Sequence, residues 1–153
     1  MQTQSASIST EPTAAVAADV AGAERGLKAA AIFTVATGLL FSSASLAETD
    51  FGVRFLLDVV FFRLGEGPDS LEASHRLVNA ILGGVMVGWG VMIWLLVDRF
   101  LVRAPQDVKR VLIVGLATWF VVDSAGSIAS GGWLNAVLNI GFLGVFLVPL
   151  RKL

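Results

Sequence analysis

The run LVNAILGGVMVGWGVMIWLLV, residues 77–97, holds no charged side chain in twenty-one positions. A bilayer's hydrocarbon core is about 30 Å thick and asks for about 20 mostly apolar helical residues, so this run spans a membrane. Three more runs pass the same test. Residues 27–47, LKAAAIFTVATGLLFSSASLA, carry only Lys28, at one end, with Ser42, Ser43 and Ser45 near the other. Residues 111–129, VLIVGLATWFVVDSAGSIA, carry only Asp123, and residues 133–150, WLNAVLNIGFLGVFLVPL, carry no charge. The whole chain is 56% hydrophobic and 15% charged, where soluble domains run near half and a quarter. These runs and that balance place the chain in the all-α, integral-membrane class.

The connections set the topology. DRFLVRAPQDVKR joins the second and third spans, with Pro105 suited to the first turn of a helix, and Ser130-Gly131-Gly132 joins the third and fourth as a tight hairpin. Short links make sequential helices antiparallel neighbours, so 27–153 is expected to be an antiparallel four-helix transmembrane bundle. Residues 51–64, FGVRFLLDVVFFRL, are too short to span. Arg54 and Asp58 are four apart and suited to pair on one face, so 51–64 reads as a short amphipathic helix lying in the interface, with a re-entrant segment as the alternative. In GEGPDSLE, Asp69 three before Glu72 resembles a capping box, which starts the second spanning helix a turn or two before Leu77. Residues 1–26 are small and polar without bulky core formers, and read as a disordered cytoplasmic tail. They lack the basic start and early apolar stretch of a secretory signal.

Basic residues give the orientation. Eight of the eleven Lys and Arg (Arg25, Lys28, Arg99, Arg103, Lys109, Arg110, Arg151 and Lys152) fall on the side of both termini. Only Arg54, Arg63 and Arg76 fall on the other, which predicts both termini in the cytoplasm. The formal net charge of -1 leaves no global basic face for nucleic acid. Cysteine is absent and His75 is the only histidine, which excludes disulfides, thiolate metal sites and cysteine nucleophiles. His75 itself reads as an exposed interfacial residue. No phosphate-binding loop, nucleophile elbow or zinc-binding HExxH occurs, so no enzymatic activity and no cofactor is expected.

The polar residues inside the spans form one constellation. A hairpin centred near Gly131 sets Asp123 level with Asn139 or Ile140, and Ser127 with Asn135 or Ala136. Asp123 and Ser127 share one face, Asn135 and Asn139 another, and the second span descends from the same side with Arg76 and Asn79. Such faces hydrogen-bond across helices at about 0.6–2 kcal/mol each. Two readings follow. Asp123 is a structural anchor, ion-paired with Arg76 at the outer rim, or it is a proton or cation site framed by Asn139, Asn135 and Ser127. The structural reading is preferred, since a transporter calls for more embedded acids and for discontinuous helices. Gly84 and Gly88 make a small-xxx-small pair read as packing inside the bundle rather than as a dimer face, with Gly141 and Gly144 adding to that surface. The matching pair Gly22 and Gly26, in the tail, carries no such meaning. Trp94 and Trp133 fall at opposite membrane interfaces, and Trp89 and Trp119 lie deeper as packing residues.

The segments HRLVNAILGGVMVGWGVMIWLL and VDSAGSIASGGWLNAVLN carry a resemblance over about the last 80 residues to a class of small, uncharacterised bacterial inner-membrane proteins with four helices. What the class implies is the fold and an inner-membrane location; it brings no activity and no catalytic residues. Two functions therefore stand: a non-enzymatic accessory or scaffold subunit, associating with itself or with a larger membrane complex, and a small proton- or cation-coupled carrier centred on Asp123. Beyond the lipid bilayer, the sequence names no partner.

Overall fold

The computed structural model describes residues 14–66 and 69–153. Among these residues every regular element is helical: α1 (Ala14–Ser43), a 3₁₀ turn (Ala47–Thr49), α2 (Phe51–Val60), α3 (Ala73–Phe100), α4 (Pro105–Ala129) and α5 (Trp133–Leu150). Helices α1, α3, α4 and α5 are long and apolar enough to cross a membrane. They form a four-helix bundle with one short helix between the first and second, as the sequence predicts. Helices satisfy their own backbone polar groups, which hydrocarbon requires. The outer surface is correspondingly apolar, with Ile81, Val85, Met92, Val121, Val122 and Val148 all more than half exposed.

The first helix departs from expectation. It begins at Ala14 rather than Leu27 and ends at Ser43 rather than Ala47, so residues 14–26 of the expected disordered tail are helical. The first thirteen residues lie outside the described ones. Alanine, the strongest helix former, dominates this stretch. Its buried positions, Ala23, Leu27, Ala30, Ala31, Thr34 and Gly38, recur at helical spacing as a stripe of mainly small side chains. Small residues are what bring helix backbones together in lipid, where no hydrophobic drive does so. The tail glycines belong to this contact: a Cβ at Gly26 would lie 2.6 Å from Pro149 Cβ, and one at Gly22 would lie 3.1 Å from Lys152 Nζ.

Helix α1 packs along α3 for most of its length, and the glycines of α3 divide between two faces. A Cβ at Gly83 would lie 2.5 Å from the Gly38 carbonyl oxygen, and one at Gly90 would lie 2.8 Å from the Ala31 carbonyl oxygen. Gly84 and Gly88, expected to pack inside the bundle, do not, because a Cβ at either would meet no atom within 4 Å. The same holds for Gly141 and Gly144 on α5. The close-approach pair is thus Gly83 and Gly90, seven residues and two turns apart on the α1 side.

At the end that carries the start of α4 and the finish of α5, here the basic end, all four spans share one apolar core. Leu27, Ile93, Val97, Leu101, Val108, Leu112, Leu116, Phe146 and Leu150 belong to it. Above this core Trp89 lies 5.8 Å from Trp119, and Phe142 lies 5.1 Å from Trp119, so both deep tryptophans pack as expected. Lys28 bridges Glu24 (2.8 Å) and Asp98 (2.7 Å) and lies 5.3 Å from the centre of the Trp94 ring, which fixes α1 against α3 at the rim. Pro105 takes the first turn of α4 as expected.

At the opposite, hairpin end, α2 folds over the bundle. Val53 and Val60 face in, while Phe51 and Phe55 are well exposed. Phe62 stacks on Trp133 at 5.5 Å, which ties the segment after α2 to the start of α5. Helix α3 starts at Ala73, one turn before Leu77, but its N-cap residue Glu72 makes no side-chain cap hydrogen bond, so the expected capping box does not form.

Candidate functional site at the hairpin end

The α4–α5 turn decides the geometry. Gly131, at φ +85°, follows the C-cap Ser130 in the left-handed region that glycine adopts without strain. Its N–H donates to the Ile128 carbonyl (3.0 Å), and that of Gly132 donates to the Ser127 carbonyl (2.8 Å). This pair of bonds is a Schellman motif. It closes α4 and starts α5 at Trp133 in one fixed register.

That register brings four of the six predicted polar residues together. Asp123 Oδ1 accepts hydrogen bonds from Ser127 Oγ (3.1 Å), Asn135 Nδ2 (3.0 Å) and Asn139 Nδ2 (3.0 Å). Asn135 Nδ2 also donates to Ser127 Oγ (2.8 Å). Asn139 Nδ2 reaches Ser124 Oγ (3.2 Å), a residue the sequence reading did not single out although it lies next to Asp123. Asn139 and Ser124 are buried and Asp123 is half-buried. Every donor to the carboxylate is neutral, and every one comes from the same hairpin.

Arg76 and Asn79 do not join this cluster. Arg76 Nη1 donates to the Leu71 carbonyl (2.7 Å), and Asn79 Nδ2 donates to the His75 carbonyl (2.8 Å). Helix α3 packs chiefly on α1, so its polar first turns serve the segment that leads into it rather than α4. The expected ion pair between Asp123 and Arg76 is therefore not formed.

The most buried carboxylate among the described residues is another one, Asp50, which is fully buried. Its Oδ2 accepts from the Leu71 backbone N–H (2.8 Å) and its Oδ1 from Arg54 Nε (2.7 Å). Arg54 thus pairs with the acid four residues before it, not with Asp58 four residues after it. Asp58 Oδ2 instead accepts from the Gly65 N–H (3.3 Å). The Leu71 N–H holds the Asp50 carboxyl below its ordinary value of 3.8, reinforced by the hydrogen bond and charge of Arg54 and the charge of Arg76, against the opposing effect of burial. Asp50 so joins the α1–α2 link, α2 and the lead into α3. The sequence signal was present as an acid and an arginine at i, i+4, but two acids stood at that spacing from Arg54.

Both networks are built from hydrogen bonds to a single carboxylate, Asp123 in one and Asp50 in the other. Among the described residues no three His, Asp or Glu side chains converge as metal ligands would. No protein-family model, no curated protein and no solved structure matches the chain.

Proposed function

We propose that this membrane protein is a non-enzymatic accessory or scaffold subunit of a larger membrane assembly, seated in a bacterial inner membrane with both termini on the cytoplasmic side. The observation that carries the reading is the closure of the Asp123 cluster. Three neutral donors from one hairpin converge on a single carboxylate oxygen, which is how a helical hairpin is held together in lipid. The spans run unbroken, whereas carriers tend to bind substrate at interrupted helices. The basic bias of one end favours the orientation. Because the chain lacks cysteine, single cysteines placed at Ser130 and Lys152 can be labelled with a membrane-impermeant maleimide to test the sidedness. The functional test is native mass spectrometry of the tagged chain drawn from its own membrane in lipid nanodiscs. Stoichiometric foreign subunits are the expected result, and recovery alone, as monomer or homo-oligomer, overturns it.

A second reading, a small proton- or cation-coupled carrier centred on Asp123, draws on the neutrality of its partners. An intramembrane acid whose partners among the described residues are all neutral is a functional-site hypothesis by default. Asp123→Asn keeps the shape and the hydrogen bonding. In proteoliposomes, pH-dependent flux that this variant abolishes would support the carrier, and absence of flux in the unaltered protein would end it.

A further inference from the structure

The outward side of helix α3 carries a shallow, open apolar groove, lined by that helix alone, that no other helix covers. It runs from Gly88 past Met92, Leu95 and Leu96 to Arg99 and Phe100. Gly88 forms its deep end, and the absence of a side chain there opens it, since a Cβ at that position would meet no atom within 4 Å. Twelve residues of helix rise about 18 Å, close to the ~15 Å depth of one leaflet's hydrocarbon. The groove therefore extends from the membrane surface at the basic end to the middle of the bilayer.

Its mouth is charged. The Arg99 side chain is 72% exposed, and its contact with Asp98 is long, 3.6 Å from Nε to Oδ2. The other Asp98 oxygen is held by Lys28 at 2.7 Å. The guanidinium thus keeps most of its donors for an anion arriving from the membrane surface. Arg103, exposed on the turn after Phe100, adds a second positive charge at the same end.

We infer that this groove is a binding site for one anionic phospholipid, with an acyl chain laid along Gly88, Met92, Leu95 and Leu96 and the phosphate on Arg99. Charge complementarity decides the occupant. Basic groups at the end of an apolar groove between membrane depth and surface match a lipid that is anionic at one end and hydrocarbon along its length, and arginine grips a phosphate through two parallel hydrogen bonds. A neighbouring helix seated there would instead cover the guanidinium and remove its charge from water without repayment.

The test uses the full chain, purified in detergent and titrated with phosphatidylglycerol or phosphatidylcholine of the same acyl chains, with bound lipid counted by native mass spectrometry. One phosphatidylglycerol retained on the order of five-fold more tightly than phosphatidylcholine is expected, the scale of one arginine at a membrane surface. Arg99→Gln should abolish that preference and leave the shared acyl-chain affinity. Gly88→Leu should lower retention of both lipids. Glycerol phosphate, a head group without chains, should displace neither. Equal retention of the two lipids by the unaltered chain overturns the inference, as does an undiminished preference in Arg99→Gln or a dimer that forms in place of lipid binding and is lost in Gly88→Leu. Both altered side chains lie outside the packed core, and the helical circular dichroism of each variant verifies that the bundle persists.

Discussion

The two ends of the bundle are held by different means. At the basic end four helices meet in one apolar core, from Leu27 through Ile93 and Leu116 to Phe146. At the hairpin end no core shared by all four spans forms among the described residues, only a small cluster of Ala44, Val53 and Leu71 around α2. Asp123 joins only α4 to α5, Asp50 joins the links around α2, and α1 meets α3 through bare backbone at Gly38 and Gly83. Lipid explains the division. Hydrocarbon is as apolar as leucine, so helices associate there through shape and hydrogen bonds rather than through expulsion of water. One end uses interlocking shape across all four spans, and the other uses short polar ties, glycine contacts and the small apolar cluster around α2.

The largest effect should come from the place where shape is least forgiving. Gly83→Leu must force α1 and α3 apart, because the new side chain collides with backbone at Gly38 and Ser42. We expect a loss of about 3 kcal/mol or more, read from reversible unfolding in mixed micelles, while Gly84→Leu next to it changes stability by less than about 0.5 kcal/mol. Equal losses would erase the distinction between the two faces of α3. Phe146→Ala, in the shared core, should cost about 3 kcal/mol and loosen all four helices together in hydrogen exchange. Asn139→Ala should cost about 1 kcal/mol and raise exchange in α4 and α5 alone. A loss spread over α1 and α3 would show that the hairpin end is one network after all.

The last effect is a pH dependence at Asp50. Its carboxyl is held below the ordinary value of 3.8 in the folded chain, so its contribution to stability is present above that value and is lost as pH falls through the lowered one. Protection of the Leu71 amide from exchange should therefore decline on acidification in the native chain. Asp50→Asn should show weaker protection at neutral pH and no such decline.

What could be read in advance follows the same division. The four spans are legible because length and lack of charge suffice to mark them. The Asp123 cluster is legible because Ser130-Gly131-Gly132 dictates the register, and register alone sets Asn139 beside Asp123. The faces of α3 are not. A soluble helix declares its buried side by polarity, but both sides of α3 are apolar, and Gly83, Gly84, Gly88 and Gly90 look alike until the neighbouring helix is in place. The start of α1 was obscured for a related reason, since the small side chains that disqualify residues 14–26 as a soluble core are the ones that suit close helix packing. Asp50 stayed hidden among the several acids of its end, because what singles it out is a backbone N–H twenty-one residues away in the chain.

The Schellman turn after Ala129 also bears on how the protein is made. Insertion of an isolated span with an aspartate costs up to about 2.5–3.5 kcal/mol, the value for the helix centre. All three donors to Asp123 lie within sixteen residues of it in the chain, and two of them follow the turn. The acid gains its full set of partners only when α5 has been synthesised and folded back. The pair of helices is therefore best released into lipid as a single unit, and the ribosome must finish the second before the membrane can comfortably accept the first.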